Sequence, residues 1–187
     1  MEKTVITILI ALLIALAAGC AKAPGPAGAS SPTTSPFSPP TPRAVLEPKG
    51  QAPAKAPDFT LHDLKGDAIT LSEVYGKKAV LLVFWATWCP SCREEIPELK
   101  KLAESMKGKN FEILAVSVKE SAKTLQAFAE KEAIPYRVLN DWDGQVAKQY
   151  GLVGVPTNFI IDRKGAVHYS GHALPDDPHA LLEPLTK

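Results

Sequence analysis

The stretch that most constrains the fold runs from Ala79 to Gly108, AVLLVFWATWCPSCREEIPELKKLAESMKG. Ala79 to Ala86 is an unbroken apolar run. A strand with one wet face alternates apolar and polar residues, so this run predicts a central strand buried on both faces. A few residues later the period changes. Ile96, Leu99, Leu102 and Ala103 recur among charged residues and Gly108 closes the segment, which predicts an amphipathic helix. A two-sided strand feeding a helix calls for an α/β architecture, and it places Cys89 and Cys92 at the junction.

The rest of the segment 58–187 fits that frame. DFTLHDLKGDAITLSEVYG alternates on both sides of Lys65-Gly66-Asp67 and reads as a hairpin followed by a short helical turn from Ser72. FEILAVSV (111–118) is a second buried strand, SAKTLQAFAEKEA a second helix and YRVLN a short strand. After a mixed segment through Tyr150, TNFIID and AVHYS form strands around Arg163-Lys164-Gly165, and DPHALLEPL closes the chain as a helix. The expectation is a mixed central sheet flanked by helices, with an N-terminal β-hairpin, parallel strands first and antiparallel strands last. The length of 58–187 suits one domain with a single core.

Ahead of it the chain is of another kind. Val5 to Ala18 is apolar throughout, too short to span a bilayer as a helix but suited to the core of a signal peptide, and it ends in Ala17, Ala18, Gly19 and Cys20. That ending resembles the bacterial lipoprotein signal, which implies cleavage after residue 19 and a lipid on the Cys20 thiol; an uncleaved anchor is the alternative. Residues 21–57 carry ten of the 17 prolines (24, 26, 32, 36, 39, 40, 42, 48, 53 and 57) among Ala, Ser, Thr and Gly. Missing N–H groups and scarce large apolar residues rule out a packed core, so 20–57 is expected to be a lipidated cysteine followed by a tether. At ~3 Å per residue it reaches on the order of 100 Å. Either N-terminal arrangement puts the domain on the extracytoplasmic, periplasmic side of a bacterial membrane. With 21 Lys+Arg against 20 Asp+Glu, nothing in the net charge points to nucleic acid as a partner.

With Cys89 at the end of the strand and Pro90 at the first helical position, the helix N-terminus offers free N–H groups and a positive dipole end to the Cys89 sulfur, which favours a thiolate. Cys92, one turn on, is placed to resolve a mixed disulfide formed at Cys89. The alternatives are weaker on chemical grounds. A disulfide closing so small a ring restrains the unfolded chain little. Zinc wants four ligands, and no second CxxC is present. A two-sulfur Cu(I) site is chemically reasonable, though His62, His168, His172 and His179 have no motif spacing with the pair. Peroxide reduction is the enzymatic alternative, but Leu82 and Ala86 stand where a peroxidase fingerprint has Pro and Thr or Ser. No metal and no cofactor are expected.

WATWCPSCREEIPEL together with YGLVGVPTNFIIDRKG resembles the membrane-tethered thioredoxin-like thiol:disulfide oxidoreductases of the TlpA and ResA type, including the thioredoxins of cytochrome c maturation. The resemblance covers nearly all of 58–187. It implies a thioredoxin-like fold, protein disulfides as substrates, a membrane electron donor and a monomer. It makes Val155-Pro156 the cis-proline loop facing the Cys89-Cys92 pair, with a backbone that pairs with an extended substrate segment. Trp88 becomes a flat apolar docking platform, and Pro97 the proline that kinks the active-site helix. Cytosolic thioredoxins carry a buried aspartate where this chain has Val83, whereas the extracytoplasmic reductases carry a glutamate where it has Glu95. A partly desolvated Glu95 with a raised pKa is expected to exchange a proton with Cys92; a solvated helix carboxylate is the alternative. Thr157 follows the cis-proline where many cytochrome-dedicated members carry an acidic residue, which leaves apocytochrome c one candidate substrate among others. Glu94 reads as surface, Trp85 as core or site, and Trp142 as structural. Ser91 brings no positive charge to a Cys89 thiolate, which favours a reductant.

Overall fold

In a computed structural model, which describes residues 54–187, the run from Ala79 becomes an interior strand of one seven-stranded sheet. The signal-like stretch, Cys20 and the proline-rich residues through 53 lie outside the described residues. The elements follow as β1 (Thr60–Asp63), β2 (Ala68–Thr70), α1 (Leu71–Tyr75), β3 (Ala79–Trp85), α2 (Pro90–Ser105), β4 (Phe111–Val118), α3 (Ala122–Lys131), β5 (Arg137–Asp141), α4 (Gln145–Gln149), β6 (Thr157–Ile161), β7 (Val167–Gly171) and α5 (Pro178–Leu182). Sheet order is β2-β1-β5-β4-β3-β6-β7. Strands β3, β4 and β5 are parallel; β6 and β7 continue antiparallel on one side, and the hairpin β1-β2 joins antiparallel to β5 on the other. This is the mixed, thioredoxin-like sheet that the sequence predicts.

All seven residues of β3 are buried, and their alternation splits the core in two. Leu81 and Val83 pack with Ile96, Leu99, Leu102 and Met106 on the α2 side. Val80, Leu82 and Phe84 pack with Leu71, Leu114, Val116 and Tyr150 on the other. Each such aliphatic or aromatic side chain contributes about 1.5–3 kcal/mol relative to leaving it in water. The hairpin turn is held by Asp63, whose Oδ1 accepts from Lys65 N (2.9 Å) and Asp67 N (3.0 Å), while Gly66 takes the positive φ of 89°. Helix α2 carries Pro97 in its interior and stays continuous from Pro90 to Ser105.

Four local expectations change. Residues 54–57, assigned to the tether on composition, are joined to the domain. Lys55 bridges Ala166, Ala56 N donates to Gly165 O (2.8 Å), and Pro57 O accepts from the Tyr150 hydroxyl (2.7 Å). The mixed segment before Tyr150 contains the short helix α4, capped by Asp141, whose carboxylate accepts from Val146 N (3.2 Å) and Ala147 N (2.8 Å). The closing helix stops at Leu182 and tightens into a 3-10 turn over Glu183–Thr186, because Pro184 has no N–H to continue it. Trp142, read as structural, is 72% exposed. Among the described residues no helix is long and apolar enough to cross a membrane.

The C-terminal ends of β3, β4 and β5 and the start of β6 share one edge of the sheet, with Phe84 opposite Thr157 and Trp85 opposite Ser117. The loops leaving that edge carry Thr87 to Cys89, Glu120, and Gly154 to Pro156.

Candidate active site

Cys89 is the N-cap of α2, with extended backbone (φ −85°, ψ 115°), and Pro90 occupies the first helical position as expected. The cap is the sulfur itself: Cys92 N donates to Cys89 Sγ at 3.3 Å, and the Ser91 hydroxyl lies 3.4 Å from the same atom. Cys89 and Cys92 are joined as a disulfide with their Cα atoms 5.3 Å apart. Once the bond is reduced, donors already in place for the sulfur face a thiolate, and the helix dipole adds to them. Exposure is small for both residues, 4% for Cys89 and 2% for Cys92, so Cys89 is the outer one by a narrow margin.

What closes over Cys89 is the loop before β6. Val155-Pro156 is a cis peptide, and the Val155 carbonyl oxygen lies 3.6 Å from Cys89 Sγ. Pro156 and Thr157 are buried and Val155 half-buried. The Thr157 hydroxyl donates to Gly154 O (2.8 Å), fastening the loop across its own neck. His172 braces it from the far side, its Nδ1 lying 3.1 Å from Pro156 O and 3.3 Å from Thr157 Oγ1. A carbonyl oxygen only accepts, so the geometry calls for the proton on Nδ1. Trp88 is 67% exposed beside the pair, while Trp85 is buried and contacts the Phe128 ring. Glu94 and Pro97 are exposed.

Glu95 is half-buried on α2 and turns toward the sheet. Asn158 Nδ2 lies 3.3 Å from each of its carboxylate oxygens, and Leu174 N donates to Oε1 at 3.2 Å. Burial pushes its proton affinity up; the bonds from Asn158 and Leu174 oppose this, and nearby Glu98 adds to it, with a net upward direction. Tyr136 and Tyr169 sit close enough for the Glu95 charge to reinforce the burial that raises both phenols. Val83, on β3, is registered directly opposite Asn158, so an amide on the neighbouring strand stands at the level where the sequence offers only an aliphatic side chain.

Two residues of this arrangement escape the sequence. Asn158 is fully buried, but in TNFIID it reads as an ordinary strand position. Glu120 follows β4 with no motif around it to mark it, yet it is 8% exposed and accepts three hydrogen bonds. They come from Thr87 N (2.9 Å), the Thr87 hydroxyl (2.5 Å) and the Ser117 hydroxyl (2.7 Å). A single carboxylate therefore ties the loop that presents Cys89 to the end of β4. Among the described residues no group of three or more His, Cys, Asp and Glu is placed to share a metal ion.

Comparison with known proteins agrees with this geometry. Residues 53–170 match the model of the AhpC/TSA family. The thiol-disulfide oxidoreductase ResA of Geobacillus kaustophilus is 41% identical over 112 residues, 60% of this chain and 64% of that protein. ResA of Bacillus thuringiensis subsp. konkukian is 36% identical over 121 residues, 65% of this chain and 69% of that one. The chain thus spans about two thirds of the length of these relatives. Among solved structures, the thioredoxin domain of a thiol-disulfide oxidoreductase from Bacteroides vulgatus superposes with a TM-score of 0.65 at 27% identity, covering 73% of this chain and 99% of that one. The chain belongs to the AhpC/TSA family, among its thioredoxin-like thiol-disulfide oxidoreductases of the ResA type.

Proposed function

We propose that this chain is a membrane-tethered reductant of protein disulfides outside the cytoplasmic membrane, held by a lipid on Cys20 and spaced by the proline-rich segment. The observation that carries the reading is the Cys89-Cys92 disulfide at the N-terminus of α2, with Cys89 Sγ lying against the cis Val155-Pro156 loop. In the reduced protein the Cys89 thiolate attacks one sulfur of a substrate disulfide; a mixed disulfide forms and the other substrate sulfur leaves as a thiolate. Cys92 then gives its proton to Glu95 and attacks Cys89 Sγ, releasing the second substrate thiolate. The protein ends in the disulfide state and the substrate has gained two electrons. A membrane electron donor restores the dithiol. Trp88, Val155, Pro156 and Thr157 line the docking edge, where an extended substrate segment pairs with the backbone of the loop.

Reduction is favoured over oxidation because Ser91, the neighbour between the cysteines, offers the thiolate a hydroxyl and no positive charge. Apocytochrome c is one candidate substrate, and Thr157 after the cis-proline argues for a wider set. Peroxide reduction ranks behind, since fully buried Leu82 and Ala86 stand at both fingerprint positions. Titration of the full chain against a defined thiol buffer tests the direction. A potential near or below about −230 mV is expected for a reductant, whereas a value near about −120 mV would mark an oxidant and overturn the reading.

A further inference from the structure

An amide in the middle of a central strand must be accounted for, because burying one costs stability unless both its ends find partners. Asn158 is 0% exposed on β6, between Val83 of β3 and Gly171 of β7. Its Nδ2 faces both oxygens of Glu95 at 3.3 Å, and its Oδ1 is buried without a partner. The groups facing Glu95 from the elements around it are Glu98 on α2, Tyr136 ahead of β5, Tyr169 on β7 and the Leu174 N–H. None of these brings a cation. The Tyr169 hydroxyl donates elsewhere, to Ala173 O at 2.7 Å. Glu95 therefore has two donors, the Leu174 N–H and the Asn158 amide, and an idle acceptor on that same amide.

We propose that Asn158 is the positioning residue for Glu95 and serves both of its protonation states, offering N–H to the carboxylate and, with the amide turned over, Oδ1 to the carboxylic acid. The inference rests on Glu95 as the proton acceptor for Cys92. In the resolving step the Cys92 S–H bond breaks and an O–H bond forms on Glu95. The sulfur electron pair makes the bond to Cys89 Sγ, and the substrate sulfur leaves with the pair of the broken S–S bond. The new carboxylic O–H then needs a buried acceptor, and Asn158 Oδ1 is a buried acceptor that no donor occupies. A donor-only side chain at 158 would hold the carboxylate but abandon the acid.

The test is a 13C NMR titration of the Glu95 carboxyl in the oxidised full chain, where no thiol titrates, beside the pH profile of single-turnover reduction of a disulfide-bonded peptide. Asn158→Leu keeps the volume and removes both polar ends. Hydrogen bonds to a charged group exceed those to a neutral one, so Glu95 in this variant is expected to hold its proton about tenfold more tightly, with the resolving-step inflection moving to higher pH by the same factor. Asn158→Ser, which keeps a donor and an acceptor, should stay within about threefold of the parent. An unchanged Glu95 titration in folded Asn158→Leu overturns the proposal. If that variant does not fold, Asn158→Asp carries the test: a second carboxylate should shift the titration at least tenfold upward, and no shift overturns the proposal equally. If the titration moves while the pH profile stays fixed, the positioning of Glu95 stands and its role in proton exchange fails.

Discussion

Replacing Glu120 by alanine should loosen the loop that carries Cys89 more than any nearby surface change. The carboxylate accepts from Thr87 N at 2.9 Å, from the Thr87 hydroxyl at 2.5 Å and from the Ser117 hydroxyl at 2.7 Å. A hydrogen bond to a charged group contributes about 1.5–3 kcal/mol, and a buried donor left unpaired costs about 1–3 kcal/mol. Thr87 is half-buried, so water and hydroxyl rotation recover part of the loss there, whereas Ser117 is fully buried and recovers little. The expected cost is ~3 kcal/mol in the oxidised protein, a sizeable share of the roughly 5–15 kcal/mol that a domain commands. Urea unfolding measures it as a lower midpoint at unchanged slope, with a fall in Tm of about 10 °C. Glu120→Gln keeps one acceptor but turns an N–H toward a donor, and should lose about half as much. Because Thr87 precedes Cys89 by two residues, the alanine variant should also reduce protein disulfides more slowly. A loss below ~1 kcal/mol with full activity would show that the loop is held by packing and would refute this account.

Other expectations follow from single contacts. Cys89→Ser should abolish disulfide reduction, and Cys92→Ser should accumulate a mixed disulfide visible as an added substrate mass; turnover by Cys89→Ser would end the mechanism proposed here. For Glu112, burial opposes ionisation, but Lys78 at 2.8 Å and Arg137 at 2.8 Å outweigh it and hold the carboxyl below its ordinary value. Its contribution is therefore present above about pH 4.5 and lost as pH falls through the depressed folded value, so Glu112→Gln should cost ~1–2 kcal/mol at pH 7 and converge with the parent in acid. Glu95 runs the other way: its raised proton affinity makes ionisation oppose folding as pH rises through the folded value, so stability of Glu95→Gln relative to the parent should increase from pH 4 to pH 8. Trp88→Ala, at an exposed position, should change stability by less than ~0.5 kcal/mol, while raising KM for a protein disulfide and leaving a small-molecule disulfide unaffected.

The amino-acid sequence alone determined the elements whose signal is local. The apolar run 79–86, the 3.6-residue period after Pro90 and the Lys65-Gly66-Asp67 turn each declare themselves within a few residues, because strand burial, helix faces and turn chemistry have short periods. The Cys89-Cys92 spacing at a strand-to-helix junction is local in the same sense, and with it the core of the site was readable. Tertiary structure alone decided which buried polar groups support the pair from behind. Asn158 reaches Glu95 across 63 residues of sequence, and Glu120 reaches Thr87 across 33. These meetings depend on which strand lies beside β3 and in what register, since a shift of one residue would turn Asn158 to the opposite face of the sheet. No periodicity within a strand encodes its neighbour. The same reason hid the exposure of Trp142 and the docking of residues 54–57: burial belongs to the assembled sheet, and only the assembled sheet reveals which polar groups it has enclosed.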